Sequence, residues 1–253
     1  LVYPYISRVL GADNIGMYSY ADGIIDYFIL FASLGIIPFG VREIARVKND
    51  SQKASQVYST LLALNVILTV VAVVVLIVTV NMIPKLESYR QFLYIGISKI
   101  VFSSLLVEWL FQGLSEFKYI TIRSIAVRSF FVVSVFCSVR DSSDAPVYYI
   151  LLCLSIAFNA LFNLYQSGKY VHFSLKNIDF RLIMVPVLSF GFYKILTSMY
   201  TSFNIVYLGS VTDDTQTGYY YTATKLYGII MSVITAFTTV MVPKVSEMLE
   251  DGQ

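Results

Sequence analysis

The chain has 253 residues, 57% of them hydrophobic and 13% charged, with a mean hydropathy of +0.71. A soluble domain carries about 25% charged residues, so the composition points to a membrane protein. The net charge of +2, with no basic run of about five to eight residues, argues against a nucleic-acid partner.

A hydrocarbon core about 30 Å thick needs about 20 mostly apolar residues per helix. The opening "LVYPYISRVLG" is too short to span and has no signal-peptide pattern. Residues 1–10 are expected to be the tail of a helix that begins before Leu1, and the final "EDGQ" to be an interior stretch of a longer protein. Apolar runs bounded by charge, Pro and Gly predict seven complete spans: 15–41, 57–83, 91–112, 119–139, 146–167, 182–208 and 218–242. With the remnant this makes an all-α, multi-pass bundle of eight helices joined by short connections. Cys137 and Cys153 fall inside spans and read as small core residues.

Lys and Arg orient the bundle. One set of connections and helix ends holds Arg42, Arg46, Lys48, Lys53, Lys118, Arg123, Arg128, Lys169, Lys176, Arg181 and Lys244. The alternate set holds only Arg8, Lys85, Arg90 and Arg140. The first set still leads when Arg128, which lies inside its span, is left out. That set is expected in the cytoplasm, which places "TDDTQTG" outside.

Polar residues at helical spacing inside spans come next. Lys194, Thr197, Thr201 and Asn204 share one stripe, and Ser155, Asn159, Asn163 and Gln166 share another. Asp22 and Asp26 lie one turn apart on a single face; Glu108, Gln112 and Ser115 share a face near a cytoplasmic end. Ser and Asn at such positions serve helix packing as readily as a transport route. A charge near mid-membrane costs roughly 2.5–3.5 kcal/mol and usually marks a route. Lys194 is near mid-span and reads as a cavity residue. Arg128 is about nine residues into its span and can also snorkel part of the way to the cytoplasmic surface. Lys99, about eight residues from an outer end, is open to either reading, and Arg123 reads as an anchor close to the surface. Asp22 and Asp26 suit either a proton or cation site or a pair with a lysine on another helix.

The segment 217–230, "TGYYYTATKLYGII", echoes 15–26, "IGMYSYADGIID". Placing Gly16 on Gly218 brings Tyr18 onto Tyr220 and Ala21 onto Ala223. Parallel repeats of this kind are a known transporter plan, with the substrate site at the repeat interface. The echo predicts that Asp22 or Asp26 approaches Lys225 across a cavity closed on its outer side.

The stretches "YISRVLGADNIGMYSYADGIIDYFILFASLGI", "GVREIARVKND", "LLVEWLFQGLSEFKYITIRS" and "TGYYYTATKLYGIIMSVITAFTTVMVPKVS" resemble the polysaccharide repeat-unit (O-antigen, Wzx-type) flippases of the multidrug and oligosaccharide exporter superfamily. The resemblance covers nearly the whole chain. It implies a two-lobe, MATE-like exporter fold, with residues 1–170 in the first lobe, 171–181 as a linker and 182–253 opening the second. It also implies movement of undecaprenyl-diphosphate-linked oligosaccharide from the inner to the outer leaflet of a bacterial cytoplasmic membrane. Membrane lipids, a polysaccharide polymerase and chain-length machinery are the implied surroundings. Asn204 stands where family members often carry an acid.

On this reading Lys194, Arg128, Lys99 and Lys225 are the candidate diphosphate ligands. Thr201, Asn204, Asn159 and Asn163 are candidates for the sugars, and Asp22, Asp26 and Glu108 for gating or ion coupling. No cofactor is expected: there is neither a metal-ligand cluster nor a phosphate-binding loop pattern. The lone His172 lies in a connection. A drug antiporter of the same fold is the main rival. A membrane polymerase or ligase is a weaker one, because the connections are too short for a catalytic loop.

Overall fold

A computed structural model describes residues 2–250 except 175–177, 179 and 202, and within that range the side chains other than those of 181, 182, 199–201, 233 and 236–250. Among the described residues ten α-helices follow one another: α1 (Val2–Ser33), α2 (Ile36–Val47), α3 (Ser51–Met82), α4 (Arg90–Ser104), α5 (Glu108–Gly113), α6 (Phe117–Ser138), α7 (Ala145–Ser167), α8 (Arg181–Thr201), α9 (Phe203–Val211) and α10 (Asp214–Glu250). No strand occurs among the described residues. Among the described residues five helical stretches are long and apolar enough to cross a membrane, six if the bent pair α8–α9 counts as one span. In hydrocarbon every backbone group must be satisfied within the protein, and helices do this locally.

The stretch 2–47 holds two of the expected passes. Gly11 has φ 76° and ψ 169°, a break that helix geometry forbids and glycine tolerates. The limbs of α1 on either side, 2–10 and 12–33, fold back on each other. Tyr3 and Tyr18 both pack against the ring of Tyr221, at 6.3 and 5.8 Å. The second limb breaks at Leu34 (φ 35°) and continues as α2. The expected span 15–41 is therefore two helices, and Pro38 sits in the first turn of α2. Proline is tolerated there because the first N–H groups of a helix have no partner anyway.

Most of the uncharged run 54–84 lies in α3, capped by Asp50, whose carboxylate accepts from the backbone N–H of Gln52 and Lys53 at 3.2 and 3.1 Å. Leu61, Asn65, Thr69, Ala72, Leu76 and Val80 face inward at steps of three and four; Val70, Val71, Val74, Val75 and Val78 are exposed. An apolar exposed face of this kind suits lipid.

The expected span 91–112 is also broken, between α4 and α5, where Val107 adopts φ 34°. No Gly or Pro signals this break. The carbonyls it frees are satisfied from neighbouring helices: Asn65 Nδ2 of α3 donates to the Ser104 carbonyl at 3.0 Å, and Asn163 Nδ2 of α7 donates to that of Leu106. The core falls into two clusters. One is centred on Ile6, Ile25, Leu93 and Tyr149, toward the expected outer side; the other is centred on Ile36, Leu61, Trp109 and Phe111, toward the inner. Cys153 is buried as expected, but Cys137 is exposed on α6.

Candidate functional site

The first feature is a cleft of about 540 Å³ between the second limb of α1, α9 and α10. Ser19, Asp22, Gly23 and Asp26 line it from α1, and Tyr221, Thr224, Lys225 and Ser232 from α10. Asp22 and Asp26 share a face because four residues make about one helical turn. Lys99 of α4 reaches between them, donating to Asp22 Oδ1 at 2.6 Å and to Asp26 Oδ1 at 2.7 Å. Tyr149 of α7 donates its hydroxyl to Asp22 Oδ1 at 2.9 Å. The Lys99 and Asp22 side chains are 14% and 17% exposed, whereas that of Asp26 is 54% exposed.

One ammonium between two carboxylates leaves the cluster one negative charge in excess. Lys225 lines the same cleft, with its ammonium 4.9 Å from the centroid of the Tyr221 ring. The acids and Lys225 thus share a cleft, while the ion pairs of the acids are made to Lys99.

On the expected outer side the cleft is closed by close backbone packing. A Cβ on Gly16 would strike the Asp214 carbonyl, and one on Gly218 would strike the Ala12 carbonyl. Thr215 Oγ1 donates to Asp13 Oδ1 at 3.3 Å, and these residues are 202 apart. The same offset exchanges Gly16 with Gly218 and Ala12 with Asp214. The sequence echo therefore describes a reciprocal contact, with the Asp13–Thr215 pair at its centre. Tyr89 donates to Asp214 Oδ1 at 2.7 Å, and Lys85 to the Ser210 carbonyl.

A second cleft, about 1040 Å³, lies between the α1–α2 junction and α8. Its lining includes Ser33, Ile37 and Arg42 on one side and Val185, Phe190 and Lys194 on the other.

The remaining candidates lie elsewhere. Arg128 is exposed on α6 and lines neither cleft, so it is not an interior cation. Glu108 does not join Asp22 and Asp26 but pairs with Arg123 at 3.0 Å. Arg123 is only 5% exposed at its side chain and also donates to Asn163 Oδ1. It is therefore a buried tie between helices and not a surface anchor. Asn163 is fully buried, accepts from Tyr119 at 3.2 Å and faces no cleft. Asn159 is half-buried and donates to the Ser155 carbonyl of its own helix at 2.7 Å. Asn204 is exposed on α9, and the side chain of Thr201 lies outside the described residues.

The sequence reading missed Tyr149 and Tyr221. Both fall near span ends, where tyrosine is routine, so nothing in the sequence set them apart. The partnership of Arg123 had a usable signal: Glu108 and Arg123 both sit near the cytoplasmic ends of consecutive spans.

Charged side chains held in a cleft between apolar helices define a multi-pass membrane protein with a polar interior. The chain belongs to the polysaccharide biosynthesis protein family, whose profile matches residues 1–249. It is 22% identical over 259 residues to an Escherichia coli K12 protein named "Putative O-antigen transporter", covering 98% of this chain and 61% of that protein. It is likewise 22% identical over 253 residues to a Shigella dysenteriae protein of the same name, covering 98% and 63%. The chain thus spans about three-fifths of the length of these relatives. No solved structure matches it significantly.

Proposed function

We propose that the full-length protein flips undecaprenyl-diphosphate-linked oligosaccharide repeat units from the inner to the outer leaflet of the bacterial cytoplasmic membrane. It is read as a transporter and not an enzyme, working by alternating access and supplying a polysaccharide polymerase with its chain-length partner. Residues 1–170 belong to the first lobe, 171–181 to a linker and 182–253 to the second lobe. The family match over nearly the whole chain and the names of the relatives support the substrate class.

The observation that carries the mechanism is the reciprocal contact of Gly16 and Gly218 at one end of a cleft lined by Asp22, Asp26 and Lys225. A tight contact at one end and a charged cleft just within it are what one state of an alternating-access cycle requires. The acids and lysines of this cleft are its gate and Lys194 is a substrate contact.

The test uses the full-length protein in vesicles loaded with lipid-linked oligosaccharide. The wild type should expose the sugar to a lectin added on the far side, and Lys194→Ala should insert normally but fail to do so. Normal flipping by Lys194→Ala removes the role of that residue, and no flipping by the wild type removes the function. A small-molecule exporter of the same fold is the second reading. It is favoured by one observation, that Lys99 is neutralised by two acids and offers no free charge to an anion.

A further inference from the structure

Three non-glycine residues among those described have a positive φ, and all three border one pair of helices. Val107 (φ 34°) precedes α5 and Ser115 (φ 63°) follows it. Leu34 (φ 35°) lies just before α2, the helix packed on α5. That packing is close: a Cβ on Gly40 of α2 would strike the Trp109 ring, and one on Gly113 of α5 would strike Ile44. A β-branched residue such as valine is an outlier at positive φ. Such residues persist only where the surroundings hold them, and they gather at switch regions.

What holds Val107 comes from outside its own helix. The run 97–112 contains neither Gly nor Pro, and its leucines are good helix formers. In a continuous helix the Ser104 carbonyl would accept from the N–H of Glu108, and that of Leu106 from the N–H of Leu110. Here the Leu110 N–H donates to the Val107 carbonyl at 3.1 Å. The two carbonyls accept instead from the side-chain amides of Asn65, at 3.0 Å, and Asn163. Side chains inserted into the ladder are a recognised cause of a kink. Each of these bonds stands in for a ladder bond that the same backbone can make. The continuous form would relieve Val107 but leave two buried amides without these acceptors. Strain favours one form and the asparagines the other, and packed elements of this kind are bistable and not continuously deformable.

We propose that α4 and α5 interconvert between this broken form and one continuous helix, with Asn65 and Asn163 as the residues that select the broken form. Because α2 is packed on α5, it moves with α5. Arg42 of α2 lies 5.6 Å from the ring centroid of Phe190 on α8, so the change is passed on to α8. The use of this switch in transport rests on the alternating access proposed above; the switch itself does not.

The test is the distance between spin labels at Gln91 and Gln112 of the full-length protein in lipid bilayers, in a background lacking Cys137 and Cys153. These positions lie near the far ends of α4 and α5. A continuous helix places them about 32 Å apart, and the broken form gives a shorter distance. Asn65→Leu and Asn163→Leu should each raise the share of the longer population at least five-fold. Val107→Gly, which adopts a positive φ freely, should abolish it. A single population that neither leucine variant moves overturns the switch. Asn163 also accepts from Arg123, so Asn65→Leu is the cleaner of the two, and if one fails to accumulate the other carries the test. Flipping in vesicles separates the two proposals. Two populations without flipping keep the switch and remove the flippase reading, whereas flipping with one immovable population does the reverse.

Discussion

Two charge clusters are built into the spans of this protein, and they differ in what surrounds them. Arg123, Glu108 and Asn163 come from α6, α5 and α7, with the Arg123 side chain 5% exposed. They tie those helices together where α4 gives way to α5, and Asn163 also satisfies a carbonyl freed by that break. Lys99, Asp22 and Asp26 come from α4 and α1, with Asp26 54% exposed at its side chain and turned to a cleft shared with α10. The residue types are nearly the same. A charge within a span is thus no mark of a route by itself: the first cluster is packed between helices, and the second opens on a cleft between them.

If the two clusters differ in this way, the largest effect on stability belongs to Arg123→Met. It leaves Glu108 without its cation and Asn163 without a donor, and breaking a buried pair on one side costs about 3–5 kcal/mol. The lower end, about 3 kcal/mol, is expected because Glu108 is partly exposed. Thermal unfolding of the purified full-length protein should show a clear drop in midpoint. An unchanged midpoint would mean that the network is not structural.

Lys99→Met should do the opposite. The protein should accumulate in the membrane, yet surface polysaccharide export should fall at least ten-fold, because two carboxylates one turn apart face the cleft without their cation. Adding Asp26→Asn, which removes one of the two uncompensated charges, should restore part of the export. Wild-type export by Lys99→Met would make this cluster as structural as the other.

The contact between α1 and α10 can be probed without removing charge. Asp13→Cys with Thr215→Cys, in a background lacking Cys137 and Cys153, should crosslink on oxidation and stop export, and reductant should restore it. Crosslinked protein that still exports would show that this contact does not open in the cycle. The smallest effect belongs to Arg128→Gln, exposed on α6. A surface substitution away from special features usually changes stability by no more than about 0.5 kcal/mol, and both midpoint and export should match the wild type.

Much of the helical plan was legible in the sequence, because apolar length and 3.6-residue spacing are local properties. The fold-back at Gly11, the 54–84 run and the shared face of Asp22 and Asp26 all follow from them. The breaks at Leu34 and Val107 were not legible. Val107 takes a left-handed conformation that no nearby Gly or Pro signals, and its cost is met by Asn65 and Asn163 from helices far along the chain. Pairing was hidden for the same reason. Lys99 finds acids 73 and 77 residues away, and spacing along one helix says nothing of which neighbour it faces. The outer contact was half legible: the echo placed Gly16 with Gly218, but only the packing shows each glycine against the other segment's carbonyl.

Carriage of lipid-linked oligosaccharide across the membrane by the full-length protein can be read from the leaflet in which the substrate collects when the protein is missing. The gene is deleted in its host and the leaflet holding undecaprenyl-diphosphate-linked repeat units is determined by their accessibility to an impermeant probe in spheroplasts. Accumulation in the inner leaflet, reversed by the wild-type gene but not by Lys99→Met, is the predicted result. Unpolymerised units accumulating in the outer leaflet would overturn the flippase reading and point to a polymerase or ligase.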